Sequence, residues 1–501
     1  MKFAALFRSP TTIAIGIGAV GGAVASMSLP PFGFWPVGIL GFAILLFAME
    51  DHSILQRSLA GFAFGLGVFV PGLWWAQHFN WYGALVLMVL EALFFALAGA
   101  LTVPGRGRTY SAIGAFVLAE YLRESWPLGG LPIGGLPLGQ TNGPLFDIAR
   151  LGGPFSLMLA LCVGGAAIRV LFTALAARNT SGLDVGRRAL LGSGLALSVV
   201  LVALWGAVAP SGGKVVKSET VAAVQGGGAR GTSAKDVNPE TVTKAQLDQV
   251  QRVPYDTALT VLPEDVVALS GSLEESWQNA ALSAEARRLL TPLLVGVTSP
   301  EGKSQFNNYV VVYRPTGSEL GTVEKVHRVP FGEYIPFRSF LSHFANISGV
   351  PRDAVVGTGN EVIATPAGPL GVLISFEVFF SERSHDVVSH GAQLLVVPTN
   401  TTSYPTSQMP AQELAAAKLQ AMETGRDLIQ ASPTGVSAII NHRGTVLAQS
   451  SLSTPTVLTG TVSLRSGLTL YDRWGDWPVL VISLAALALG QLRSRQRTQL
   501  S

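Results

Sequence analysis

Three residues in this chain, in the order Glu264, Lys325, Ser375, combine into a set that does covalent chemistry. Ser375 closes the apolar stretch of GVLISFEVFF (371–380), Glu264 sits in TVLPEDVV and Lys325 in EKVHRVPFGEYIP. A carboxylate, an ammonium and a small nucleophile-sized residue make an acyl-transfer set. The acid serves as general base, the lysine stabilises the oxyanion of a tetrahedral intermediate, and the hydroxyl carries the acyl group. Glu333 and Glu377 add carboxylates able to orient the lysine or relay protons. Taken singly, each of these is a solvated charge or the end of a core strand; their shared placement at strand ends is what sets them apart.

The elements that must hold them lie between residues 213 and 470, where charged and amide residues appear and apolar runs shorten to strand length. ETVAAVQGG reads as a first strand, VTKAQLDQVQRVP as a helix and ALTVLPEDVVAL as a strand ending at an acid. A helix (SAEARRLL), a strand (PLLVGVTS) and a strand pair around RPTGSELG follow. Then come VIATP, PLGVLIS, a helix near 381–390, the strand AQLLVVPTN and a helix near 410–425. The segment closes with DLIQAS, a hairpin turning at HRG, and TVLTGTVSL. Strands alternating with helices, with hairpins interspersed, predict an α/β domain of two or more layers. VQGGGARG has a phosphate loop's glycines without its GK[ST] ending and is set aside.

Before this domain the chain is of another kind. With 501 residues, 49% of them hydrophobic, and a mean hydropathy of +0.42, it has room for a membrane part. Long apolar runs recur at about 11–29, 32–49, 58–78, 83–103, 110–124, 151–175 and 188–209, with an eighth at 477–492. Each approaches the roughly 20 residues that a spanning helix needs. The first run is followed by further spans and lacks a small-residue cleavage site, so it is not a signal peptide. Lys2, Arg8, Arg57, Arg106, Arg108, Arg169, Arg178, Arg187, Arg188, Arg493, Arg495 and Arg497 fall at alternate span ends, whereas the other loops hold little beyond Arg123 and Arg150. The positive-inside rule then puts both termini in the cytoplasm and the 213–470 domain outside. The predicted division is a transmembrane domain at 1–212, a catalytic domain at 213–470 and a final span with a cytoplasmic tail at 471–501.

SLPPFGFWPVG and WPLGGLPIGGLPLGQ read as rigid or re-entrant segments with interfacial anchors. Glu91 and Glu120 lie inside apolar runs, where a carboxylate is either functional or held in an interhelix hydrogen bond. The net charge of +3 is too small for a nucleic-acid protein. One cysteine, Cys162, excludes an internal disulfide and reads as buried packing; seven histidines without HExxH or a paired spacing predict no metal.

These motifs resemble the nitrilase superfamily, and more closely the apolipoprotein N-acyltransferases. The likeness covers nearly the whole chain. It rests on PPFGFWPVGIL, GFAFGLGVFVPGLWW and EYLRESWPLGGLP in the membrane half, and on VLPED, KVHRVPFGEYIP, GVLISFEVFF and AAAKLQAMETGRDLIQASPTGVSAII in the other. It implies an αββα sandwich inserted between spans seven and eight, facing outward from a bacterial plasma membrane. Glu264 takes the base role, Lys325 the oxyanion role, and Glu333 and Glu377 match acids on which the family depends. It also implies a phospholipid acyl donor, a diacylated lipoprotein acceptor and no cofactor.

Two positions depart from the family pattern. Ser375 stands where the family has its nucleophilic cysteine, and Phe376 where it usually has tyrosine. A thiol has a pKa of about 8.5, so an alcohol, nearer water's end of the scale, costs roughly 7 kcal/mol more to deprotonate. Three readings remain open. Ser375 is a base-assisted nucleophile; or the chain is a weak or inactive homologue that binds lipid or lipoprotein, or scaffolds a partner such as polyprenol-phosphate mannose synthase; or the serine is an engineered trap, against which Phe376 argues. Phe376, Phe379 and Phe380 are core residues or, alternatively, the lining of an acyl groove.

Overall fold

In the computed structural model, residues 9–50, 52–177, 182–227, 238–343, 347, 349–359, 362–404 and 408–498 are described. Lys2, Arg8, Arg178 and the latter half of VQGGGARG lie outside them. The chain forms two compact units, 1–209 with 474–501, and 210–473.

The first unit is helical: α1 (Pro10–Ser26), α2 (Trp35–Ala48), α3 (Ile54–Gly72), α4 (Trp81–Leu101), α5 (Arg108–Ser125), α6 (Ala149–Ala176) and α7 (Gly182–Val208), joined by the C-terminal helix Trp477–Thr498. Side chains punctuate the starts. Ser9 accepts the Thr12 amide, Ser53 and Gln56 form a capping box, and Asn80 accepts the Gly83 amide. Small residues set the packing: a Cβ on Gly22 would lie 2.1 Å from the Phe64 carbonyl oxygen, and one on Gly61 2.2 Å from that of Phe95. The backbones of α1, α3 and α4 therefore approach as closely as small-residue interfaces in membranes allow.

All eight expected apolar segments are helices, and five of the helices are long and apolar enough to cross a bilayer. α1 and α2 are shorter apolar helices of 17 and 14 residues, cut off by the proline-rich turn between them. α5 does not meet the same measure of apolarity, because Arg108, Glu120, Arg123 and Glu124 lie in it. Residues 132–140 of the WPLGGLPIGGLPLGQ segment are buried, with Leu136–Gln140 forming a short 3-10 helix. Glu91, Glu120 and Glu124 converge on Arg123, at 3.3 Å, 2.7 Å and 3.4 Å, so one buried guanidinium bridges several carboxylates inside the bundle. Arg150 pairs with Asp147 at 3.1 Å. Cys162 is fully buried.

The second unit contains β1 (Lys214–Gln225), α8 (Pro239–Val250), β2 (Leu259–Val261), β3 (Val267–Ala268), α9 (Trp277–Leu289), β4 (Leu293–Glu301), β5 (Gln305–Tyr313), β6 (Glu319–Glu324) and β7 (Asp353–Ala354). It continues with β8 (Val362–Thr365), β9 (Gly368–Val372), α10 (Ser381–Ser389), β10 (Leu394–Pro398), α11 (Gln408–Thr424), β11 (Leu428–Ala431), β12 (Ala438–Ile440), β13 (Val446–Gln449) and β14 (Thr456–Ser466). One sheet runs β14-β1-β2-β4-β5-β6, with β3 paired to β4 and β7 to β5; the other runs β13-β12-β11-β10-β9-β8. Each has parallel central pairs, β1/β2/β4 and β9/β10/β11, flanked by antiparallel neighbours.

One apolar layer lies between the sheets, with Val221, Val261, Val310 and Val323 from the first meeting Val372, Val396, Ile429 and Ile439 from the second. Another joins the first sheet to α8 and α9 through Val250, Leu282, Ala286 and Leu289. With α10 and α11 belonging to the second sheet's crossovers, the layers read α-β-β-α, as expected. The central strands are apolar on both faces because both faces are covered.

Candidate active site

Glu264, Ser375 and Thr399 each follow the carboxyl end of a parallel strand, where α/β sheets carry their sites. Glu264 lies in the turn after β2, between Pro263 and Asp265, which has a left-handed φ of 55°. Gly296 of β4 lets that turn dock: its amide donates to the Pro263 carbonyl at 3.1 Å, and a Cβ there would lie 2.4 Å from the Glu264 Cα. Lys325 follows β6, and the β5/β6 register puts it opposite Asn308, whose carbonyl accepts the Lys325 amide at 2.9 Å.

These strand ends bring four side chains together. Lys325 Nζ donates to Glu264 Oε1 at 2.8 Å and to Glu333 Oε1 at 2.7 Å, while Asn308 Nδ2 donates to the same two oxygens at 2.9 Å each. Glu333 reaches the cluster from a tight loop, where its Oε2 accepts the Val329 amide at 2.8 Å. Burial works to discharge Lys325, but the Glu264 and Glu333 carboxylates outweigh it and hold its pKa well above the usual lysine value. The ammonium is thus permanently charged, with a third proton free of those two acids. Partly buried Asp265, next to Glu264, has its carboxyl pushed up to about 6 by desolvation, against a hydrogen bond from Thr298.

Ser375 lies on a sharp turn between β9 and α10 with φ of 54°, a strained backbone for a residue with a Cβ and a geometry that thrusts a nucleophile outward. The strand of GVLISFEVFF ends at Val372, and residues 375–379 form a 3-10 turn. Glu377 locks this turn. Its Oε2 accepts the Ile374 amide at 2.7 Å, and its Oε1 accepts the Val326 and His327 amides at 2.8 Å and 3.1 Å. It thereby ties the Ser375 turn to the residues just after Lys325, with Arg383 3.5 Å away as counter-charge. Phe376, Phe379 and Phe380 are buried, and Phe380 stacks on His327 with ring centroids 4.1 Å apart, as core residues do.

Glu264, Lys325 and Glu333 are in direct contact, whereas Glu377 joins the group through backbone amides. Ser375 Oγ lies 3.4 Å from Thr399 Oγ1, and Thr399 in turn donates to Glu413. Asn308, Thr399 and Glu413 are site residues that the sequence reading passed over. Among the described residues no three His, Cys, Asp or Glu side chains are grouped to hold a metal ion.

The chain is similar to known proteins over most of its length. Residues 21–167 match the apolipoprotein N-acyltransferase N-terminal domain, and residues 220–467 match the carbon-nitrogen hydrolase family. The apolipoprotein N-acyltransferase of Methylococcus capsulatus is 31% identical over 508 residues, which cover 96% of each chain. The chain belongs to the apolipoprotein N-acyltransferase family. A relative of the same name from Mycolicibacterium smegmatis is 29% identical, covering 96% of this chain and 84% of that one. Among solved structures, an amidase from Nesterenkonia sp. is similar at 22% identity and a TM-score of 0.37, over 52% of this chain and 97% of that one. With its carbon-nitrogen hydrolase domain and its long apolar helices, the family member described here is a membrane-bound acyltransferase homologue.

Proposed function

We propose that this chain transfers an acyl group from a phospholipid to the α-amino group of a lipoprotein's N-terminal diacylglyceryl cysteine, through an ester on Ser375. The observation that carries this reading is the buried Glu264–Lys325–Glu333 cluster, beside which the Glu377 lock ties a left-handed Ser375 turn. Ser375 Oγ bonds to the phospholipid ester carbonyl carbon as it gives up its proton, the Lys325 ammonium stabilises the developing oxyanion, and the ester C–O bond breaks so that the lysophospholipid leaves with that proton on its oxygen. The lipoprotein amine then attacks the acyl-serine, the C–Oγ bond breaks, and the proton the amine gives up, taken by Glu264, is returned to the Ser375 oxygen as the amide forms. Glu333 holds Lys325 charged and in place.

We place the 213–470 domain outside the cytoplasmic membrane and both termini inside, with eight spans. Buried ion pairing supports this. Arg123 and Arg150, the exceptions among the outer loops, are neutralised within the helical unit and do not count as loop charges. At the opposite end Arg108 and Arg169 gather on Glu50 at 3.1 Å and 2.7 Å.

A second reading, a homologue that binds lipid or lipoprotein without turnover, is favoured by Ser375 and Phe376 at the two positions that depart from the family. The comparisons lend no support to a polyprenol-phosphate mannose synthase partner. Incubation with phospholipid and a diacylated lipopeptide decides between enzyme and binder. The transferase reading expects an acyl mass on the peptide carrying Ser375, N-acylated product, loss of both in Ser375→Ala, and faster transfer in Ser375→Cys. Transfer that survives Ser375→Ala removes Ser375 as nucleophile, and no transfer by wild type leaves the binder.

A further inference from the structure

Ser375 has a proton acceptor of its own, separate from the lysine cluster. β9 and β10 are parallel neighbours in the register Val372↔Val396, so Ser375 and Thr399 each lie three residues past the same rung, side by side at the sheet's edge. Their hydroxyls are 3.4 Å apart, longer than an ordinary O–H···O bond and close enough that a small approach brings them into one. Behind Thr399, α11 delivers Glu413, whose Oε1 accepts from the Thr399 hydroxyl. Thr399 and Glu413 are 0% and 1% exposed, and among the described residues Glu413 Oε2 has no hydrogen-bond partner. A carboxylate so placed in an alanine-lined helix face, spending one oxygen on a single hydroxyl, is expensive as packing. Glu264, by contrast, is occupied through Oε1 by Lys325 and Asn308.

We propose that Ser375, Thr399 and Glu413 form a proton relay that activates the serine hydroxyl. Thr399 touches the nucleophile and is the catalytic residue of the pair; Glu413 acts through it as the positioning residue and proton store. Thr399 has one hydroxyl proton, so the chain has two directions. With Glu413 ionised, Thr399 donates to it and Ser375 donates to Thr399. With Glu413 protonated, the order reverses and the Ser375 proton has nowhere to go.

This relay rests on the acyl-serine reading and supplies its proton balance. As Ser375 Oγ bonds to the ester carbonyl carbon, its proton passes to Thr399 Oγ1 while the proton of Thr399 passes to Glu413 Oε1. Collapse of the adduct breaks the ester C–O bond, and the lysophospholipid oxygen takes a proton back along the chain. In the second half the amine nitrogen bonds to the acyl carbon, the C–Oγ bond breaks, and a proton released by the amine restores Ser375. No oxidant or further reactant is consumed. A thiol, already acidic, would need none of this.

Burial pushes the Glu413 carboxyl up to about 8, with the Glu264 carboxylate adding to the shift, and with Thr399 and the Lys325 ammonium opposing it. The Tyr404 phenol also lies in the field of Glu413, and stays neutral in this range because burial raises its pKa. Relay-dependent reactivity must therefore rise with pH through about 8.

The test uses full-length protein in lipid nanodiscs and the rate at which a fluorophosphonate labels Ser375, read by mass on the peptide carrying that residue between pH 6 and 10. Wild type is expected to label with a single rising limb centred near pH 8. Glu413→Gln and Thr399→Val should each slow labelling by about a hundred- to ten-thousand-fold and abolish the limb. Thr399→Ser and Glu413→Asp keep the groups and should restore it in part. A cooperative thermal unfolding transition of Glu413→Gln at pH 6 in the same nanodiscs shows that the variant is folded, so that slow labelling reports the missing acid. Equal rates and an unchanged limb in Glu413→Gln overturn the relay, as does a wild-type Ser375 that stays unlabelled at every pH while Ser375→Cys is alkylated by iodoacetamide. Relay-type labelling without lipopeptide acylation overturns the transferase reading and leaves the relay standing.

Discussion

The Glu377 carboxylate accepts the Val326 amide at 2.8 Å while holding the Ile374 amide with its other oxygen, so one fully buried acid couples the nucleophile turn to the lysine strand end. Removing it strands the buried Ile374 amide and the partly buried amides of Val326 and His327, and takes away the carboxylate 3.5 Å from Arg383. Glu377→Ala is expected to destabilise the domain by about 3–5 kcal/mol. Glu377→Gln, which retains one carbonyl acceptor, should cost less. Thermal unfolding of the detergent-solubilised protein checks this, and equal melting temperatures for wild type and Glu377→Ala would deny Glu377 its locking role.

Lys325 is held charged by two carboxylates that would otherwise repel each other across a buried site. Lys325→Met should abolish acyl transfer and destabilise the domain by about 3–5 kcal/mol at neutral pH. Because the folded pKa of Lys325 is raised, the stability it contributes is fully present below the unfolded lysine value of about 10.4 and is lost only as pH climbs through the higher folded value. The wild-type melting temperature should therefore show no Lys325-linked loss between pH 6 and 9. A loss in that range that disappears in Lys325→Met would contradict the assignment.

Topology gives an independent check, since neither lipid headgroups of the outer leaflet nor lipoprotein amino termini are available to a cytoplasmic site. Alkaline phosphatase fused after residue 300 is expected to be active and green fluorescent protein fused there dark, with the converse at residue 498. A fluorescent fusion at 300 would reverse the orientation and remove the lipoprotein substrate with it.

The alternation of short apolar runs with amphipathic ones marked the α/β sandwich, because strands buried on both faces read as VVP-like runs and their crossovers as helices. It also marked Glu264, Lys325 and Ser375, since each interrupts or closes such a run. Thr399 carried the same signature, a small polar residue ending the run LLVVPT, and Glu413 is an acid inside AQELAAAK. What the sequence does not display is which strand end faces which helix. Ser375 and Thr399, 24 positions apart in the chain, become neighbours only through the parallel β9/β10 register. Arg123 was hidden for a related reason: it looked like a loop charge at the end of an apolar run, and only the packing of α4 against α5 brings Glu91 to it.

Glu413 makes a thermodynamic prediction that does not require turnover. An unfolded glutamate titrates near 4.3, whereas burial, the leading cause, pushes the folded group up to about 8. Between those values the folded chain keeps a proton that the unfolded chain has released, so stability falls as pH rises across the window and levels off above it. At roughly 1.4 kcal/mol per pH unit the loss amounts to a few kcal/mol. Glutamine has the same shape and no ionisation to suppress. Glu413→Gln should therefore melt close to wild type at pH 5 and several degrees above it at pH 8.5, in the same detergent and at the same ionic strength. The variant that slows serine labelling is thus expected to be the more stable protein at alkaline pH. A difference between the two melting temperatures that is the same at pH 5 and pH 8.5 would show that Glu413 does not change its protonation in this window, and would remove the titration near pH 8 that the relay predicts.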